Sequence, residues 1–135
     1  MLSKSISLYK NLQRQYSRRI NLDLNRIQKV LLKLNSPHLY LKNPINILGS
    51  DGKMSTLTSL KIILESDKKK VNTFTSPHLY DLRHRIWLKN RYIKLYEIKK
   101  DIKIIQKLKL KLTLFELLTC VYILSAKRIN NIDYN

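Results

Sequence analysis

Gly49, Gly52, Lys53, Ser55 and Thr56 fall together in the stretch INILGSDGKMST, residues 45–56. These residue types at this spacing suit one task, holding a phosphate. Glycines let backbone N–H groups approach an anion, and a following helix points the positive end of its dipole at the same place. The Lys53 ammonium would meet the outer phosphates, and a hydroxyl of Ser55 or Thr56 would help hold magnesium. The spacing G-x-x-G-K-x-S departs from the standard G-x-x-x-x-G-K-[ST], so the stretch taken alone also fits an ordinary glycine turn. Context favours the phosphate reading, because Gly49 and Gly52 are the only glycines in the chain. The candidate phosphate loop is Gly49, Ser50, Asp51, Gly52, Lys53, Met54, Ser55 and Thr56.

Other reactive side chains make weaker patterns. SPHLY occurs twice, at residues 36–40 and 76–80, but the flanking residues do not match. A solenoid needs whole self-similar units, so this is no repeat architecture. His38 and His78 make a poor metal site, since zinc takes three or four protein ligands and Cys120 falls in an apolar helix. In that helix Cys120 reads as a core filler, not a nucleophile. Glu116 lies in the same helix, and an acid there needs a partner or a shifted pKa. A buried pair with a loop arginine is the simplest account. Tyr80 and Trp87 could stack on a flat ring, though ordinary packing is the commoner use of both.

The elements that must position these residues read as α/β. Residues 5–16 suit a short helix. In DLNRIQKVLLKLN, residues 23–35, Leu24, Ile27, Leu31 and Leu34 recur at helical steps, with Asp23 or Asn21 as cap. Pro37 stops that helix. PINIL, residues 44–48, reads as a buried strand ending at Gly49. STLTSLKIILESD, residues 55–67, reads as a helix with Leu57, Leu60, Ile63 and Leu64 inward. KVNTFT is a second strand, and RIWLKNRYIKL alternates about Lys89-Asn90 as a small hairpin. YEIKKDIKIIQKLKLK is a basic amphipathic helix, TLFELLTCVYILSAKR a mostly apolar one packed on a sheet, and NIDYN the start of a further strand. Strand, glycine loop, helix, strand is the order of a nucleotide-binding unit with a mostly parallel sheet.

Composition bounds the function. The 135 residues make one domain or less. One cysteine excludes an intrachain disulfide, and the longest apolar run is broken by Glu116, which argues against a membrane span. The first twenty residues carry no acid and have a presequence-like composition, but they also read as a basic amphipathic helix, the account favoured here. The net charge is +18. Lysine outnumbers arginine 19 to 8 and alanine occurs once, a bias that AT-rich coding produces. The charge is spread along the chain, so nonspecific affinity for nucleic acid is expected as a side effect.

Four stretches together resemble one family. INILGSDGKMST is similar to the loop of the folylpolyglutamate synthase/dihydrofolate synthase family, relatives of the Mur cell-wall ligases. TFTSPHLYDLRHRI resembles its second signature, and LTLFELLT resembles its L-T-x-F-E-x-L-T helix. INLDLNRIQKVLLKLNSP resembles the segment before the loop. The motifs occur in the family's order and cover essentially the whole chain. The resemblance implies an incomplete Mur ligase-like, P-loop-type sheet with flanking helices, residues 1–43 being leading helices and 44–135 the partial sheet. It implies Mg-ATP bound at the loop, Ser76 helping to hold magnesium with Ser55, and Pro77, His78, Leu79, Arg85 and Glu116 on the substrate side. It implies a cytoplasmic ligase that phosphorylates the carboxylate of a folate or dihydropteroate and joins glutamate to it.

The departures are equally specific. Family members are much longer, and the resemblance places the magnesium-binding glutamate, a metal-binding histidine and the glutamate-holding C-terminal domain beyond residue 135. The expectation is a truncated homologue, inactive alone. The other expectations carried forward are a split enzyme completed by a second chain, and a basic RNA- or ribosome-binding protein reusing the fold. Asp51 stands where the family has asparagine. At roughly 6 Å from a phosphate charge, with an effective dielectric near 20, it would weaken binding on the order of a hundredfold. His84 replaces the acid of the second signature, while Arg85 is kept.

Overall fold

The computed structural model describes residues 2–16, 23–78 and 80–135. Its helices are α1 (Leu2–Gln15), α2 (Asn25–Lys33), α3 (Lys53–Ser66), α4 (Leu95–Gln106) and α5 (Leu114–Lys127), and its strands are β1 (Val71–Phe74), β2 (Ile86–Lys89) and β3 (Arg91–Tyr92). Short 3-10 turns at Pro37–Tyr40 and Leu82–Arg85 complete the order.

The core is built on α5. Its start is fixed by a capping box: the Glu116 N–H donates to Thr113 Oγ1 at 3.2 Å, and the Thr113 N–H donates to the Glu116 carboxylate at 2.7 Å. Leu117, Leu118 and Val121 are fully enclosed. They meet α4, whose Ile98, Ile102 and Ile105 recur at three- and four-residue steps and are all buried. α5 also packs on β1, β2 and the Pro37–Tyr40 turn. Between α4 and the end of α5 sits an ionic clamp on the buried Asp101, its Arg128 partner exposed to solvent. Arg128 donates two 2.7 Å hydrogen bonds to Asp101, and Ser125 Oγ donates a third at 2.7 Å.

β2 alternates as its sequence suggests, with Ile86 and Leu88 buried and Trp87 half-buried on the other face. The Trp87 indole donates to Glu65 of α3 at 2.9 Å, and the Lys61 ammonium lies 3.8 Å from its ring centroid. The hairpin about Lys89-Asn90 forms, Lys89 taking the left-handed conformation at φ 62°. α1 buries Leu12 and Ser5 against the Leu82–Arg85 turn, which supports its reading as an amphipathic helix of the fold.

Several expectations need correction. The sheet is antiparallel, in the order β1-β2-β3, with Val71 opposite Lys89 and Phe74 opposite Ile86. The parallel component is one isolated bridge, Val71 to Tyr134, within the segment expected to begin a strand. PINIL forms no strand: Ile45 N–H donates to the Asn135 carbonyl at 2.9 Å, and no ladder follows. A parallel strand needs a continuous neighbour, and the edge of β1 away from β2 offers only the Tyr134 bridge. Ile63 is 64% exposed, not inward, because α3 is covered by little more than β1. Leu24 is exposed too, since α2 starts one residue later and turns Val30 and Leu31 to the core. Asp23 accepts from the Asn25 N–H at 2.9 Å; Asn21 lies outside the described residues.

Candidate functional site

The loop from Gly49 to Gly52 is exposed, and its two glycines take positive φ, 153° and 72°. Both values disfavour any residue with a Cβ. Gly52 is also the N-cap of α3 and so offers no side chain to the first-turn N–H groups. Lys53 opens the helix and folds back over the loop, its ammonium donating to the carbonyls of Gly49 and Ser50, the latter at 2.7 Å. No acid lies in the first turn of α3. The result is an exposed loop that sets one ammonium and uncapped amide donors together, the chemistry an outer phosphate requires, with the Asp51 carboxylate exposed in the same loop.

Beside it lies a cleft of about 450 Å³, whose lining includes Lys53, Met54, Phe74, Ser76, Phe115 and Thr119. Ser76 and Lys53, separated in sequence, are thus brought to one cavity. Ser50, Asp51, Ser55 and Thr56 are exposed on the loop or the first turn of α3 and do not line it.

Behind Ser76 stands Arg85, buried, with three neutral partners. It donates to His78 Nδ1 at 2.8 Å, to Ser76 Oγ at 3.0 Å and to the Tyr9 hydroxyl at 3.5 Å. Tyr9 meets the His78 ring edge-on at 4.4 Å. Because Nδ1 accepts, His78 is held neutral; burial and the Arg85 charge both push its pKa below the usual histidine value. Asp81 anchors the other end of the loop, accepting from Ser5 Oγ at 2.6 Å and from Arg83 at 2.6 Å. Burial works to raise the Asp81 carboxyl, but hydrogen bonds from Arg83 and Ser5 outweigh it and hold it well below the ordinary carboxylate range.

The remaining predicted residues separate. Pro77 is exposed next to Ser76, and Leu79 lies outside the described residues. Glu116 is not on the cleft. It closes the capping box and pairs with Arg26 at 3.0 Å, so the acid does have an arginine partner, but one from helix α2 and not from a loop. Cys120 is fully buried, and burial pushes its thiol up to about 12, which fits a core filler. Trp87 is occupied by α3 and Tyr92, and Tyr80 is exposed away from the cleft lining. Among the described residues no three His, Cys, Asp or Glu side chains group as a metal site. Sequence reasoning missed Phe115 and Thr119, whose four-residue spacing puts them on one face of α5. It also missed Tyr9 and Ser5, whose roles exist only once α1 packs against the distant loop.

This fold recurs in solved enzymes. Folylpolyglutamate synthase of Thermotoga maritima superimposes with a TM-score of 0.80 at 26% identity, over 98% of this chain and 32% of that one. The bifunctional folylpolyglutamate synthase/dihydrofolate synthase of Yersinia pestis, complexed with AMPPNP and a manganese ion, gives a TM-score of 0.83 at 23% identity, over 96% and 32%. The architecture is therefore the Mur ligase-like α/β fold of these synthases. In sequence, the chain is 36% identical over 105 residues to dihydrofolate synthetase of Saccharomyces cerevisiae, covering 75% of this chain and 24% of that protein. No family model matches. The chain is a homologue of the folylpolyglutamate/dihydrofolate synthases and corresponds to a fragment of them, spanning between 24% and 32% of the lengths of these relatives.

Proposed function

We propose that these residues form the nucleotide-binding and substrate-facing part of an ATP-dependent ligase that joins glutamate to a folate or dihydropteroate. The observation carrying this reading is that one cleft gathers Lys53 of the glycine loop, Ser76 of the SPHLY loop and Phe115 of α5. In this reading residues 1–43 are leading helices and 44–135 the first part of the ATP domain, acting in the cytoplasm. Lys53 neutralises the outer phosphates of ATP. Arg85, His78 and Tyr9 hold the SPHLY loop so that Ser76 Oγ keeps one fixed orientation. Phe74 and Phe115, with ring centroids 6.0 Å apart, give a flat-ringed substrate an aromatic wall. Magnesium would spread the phosphate charge. Ser76, on the cleft, would supply at most one of its oxygens, phosphate and water supplying the rest, as that ion prefers, while Ser55 lies off the cleft lining.

The chain spans between 24% and 32% of its relatives' lengths, and in this reading the 135 residues by themselves bind Mg-ATP without ligating glutamate. Leu48 before the loop and Ile62 and Ile63 further along α3 are exposed, which fits further polypeptide, contiguous or separate, covering them. Calorimetric titration with Mg-ATP tests the proposal. Saturable binding that disappears in Lys53→Ala is expected. Binding unchanged by Lys53→Ala, or no binding at all, would overturn it.

A further inference from the structure

We propose that the outward face of α4 is a binding surface for single-stranded nucleic acid. Tyr96, Lys99, Lys100, Lys103 and Lys107 are all exposed and recur at three- and four-residue steps, so they form one stripe along the helix and its C-cap. Lys99, Lys103 and Lys107 rise about 6 Å per step, comparable to the spacing of successive phosphates along a strand. The fold removes the acids of this region from the stripe. Asp101 is buried against Arg128 and Ser125. Glu97 is held by Arg91 at 2.8 Å and by the Lys94 N–H at 2.7 Å. Among the described residues none of these four lysines makes an ion pair. The stripe is thus an uncompensated row of positive charge, unlike an exposed helix laced by alternating charges.

The chemistry selects the partner. An anionic bilayer favours several exposed apolar side chains between the lysines, but Ile98, Ile102 and Ile105 are turned into the core and only the half-buried Ile104 lies beside the stripe. Tyr96, 63% exposed at the head of the stripe, offers instead a flat ring on which an unpaired base can stack. Lysines tracking phosphates beside one stacking aromatic is the pattern of sequence-tolerant single-strand binding.

Fluorescence anisotropy with a labelled oligouridylate of about 20 nucleotides tests this. Affinity is measured between about 50 and 200 mM salt for the whole chain and two variants of equal net charge. Lys99→Gln/Lys103→Gln/Lys107→Gln removes the stripe; Lys68→Gln/Lys69→Gln/Lys70→Gln removes three exposed lysines elsewhere. All six side chains are exposed, so both variants keep the fold, which circular dichroism verifies. The stripe variant is expected to bind at least tenfold more weakly than the control variant, with a log–log salt slope shallower by about 2. Tyr96→Ala is expected to lose about tenfold with the slope unchanged. Equal losses in the two triple variants would overturn the proposal, since net charge alone would then explain binding. Binding to phosphatidylserine vesicles without binding to the oligonucleotide would overturn it as well.

Discussion

Two residues of the site carry consequences that can be isolated. Asp51 is exposed beside the loop that holds Lys53, and its charge opposes any phosphate placed there. Asp51→Asn should tighten Mg-ATP binding by about tenfold, less than an unscreened pair would give because the site is open to solvent and salt. His78 sets a pH dependence. Its pKa is lowered from 6.5 in the folded chain, with Arg85, Asp81 and His84 the charged and titratable groups around it. The unfolded chain therefore binds more protons just below pH 6.5, and stability rises with pH through that interval. The full contribution is present above about pH 6.5 and is lost as pH falls toward the depressed value. The lowered carboxyls of Asp81 and Glu116 start from 3.8 and 4.5 and act only at lower pH. Unfolding midpoints measured from pH 7 to 5 should fall for the parent chain. They should fall less for His78→Gln, which keeps an acceptor for Arg85 but does not titrate.

At the scale of elements, local pattern was enough wherever one face had to be buried. The periodicity of α4, the apolar run of α5 and the Lys89-Asn90 hairpin were all legible, because each is decided by residues a few positions apart; the Thr113–Glu116 capping box, equally local, went unread. What failed was decided by neighbours distant in sequence. PINIL is apolar enough for a buried strand, but its ladder partner is not supplied by β1, which gives its one continuous edge to β2. Ile63 follows helical spacing, yet α3 meets too little surface to cover it. Glu116 could be identified as an acid needing a partner, but Arg26 comes from α2, ninety residues away in sequence. The site was legible in the same uneven way. Lys53 and Ser76 were named from motifs, while the aromatic wall at Phe115 and the Tyr9 prop behind Arg85 required the packing of α5 and α1. Asp101 is another case that only packing exposes. Asp101→Asn should lower unfolding free energy by about 2 kcal/mol, because the bonds from the half-exposed Arg128 to the buried Asp101 lose their charge assistance. A midpoint drop on the order of 8 °C in thermal melts would register it.

For the whole molecule, the central claim is that a basic, 135-residue chain uses one small part of its charge for a nucleotide. Nineteen lysines compete for phosphate, so affinity alone cannot locate the site. The fold separates two kinds of positive surface. One is a glycine loop with Lys53 turned over its own carbonyls beside an aromatic cleft. The other is the solvent-facing stripe of α4. No helix among the described residues is long and apolar enough to cross a membrane. The most direct test is a titration of the ¹⁵N-labelled chain with magnesium and AMPPNP, followed amide by amide in ¹H–¹⁵N correlation spectra. The account predicts saturating shifts at Gly49, Gly52, Lys53, Ser55 and Ser76, with Lys99, Lys103 and Lys107 little moved. Shifts confined to the α4 lysines, or absent from the loop at saturation elsewhere, would contradict it.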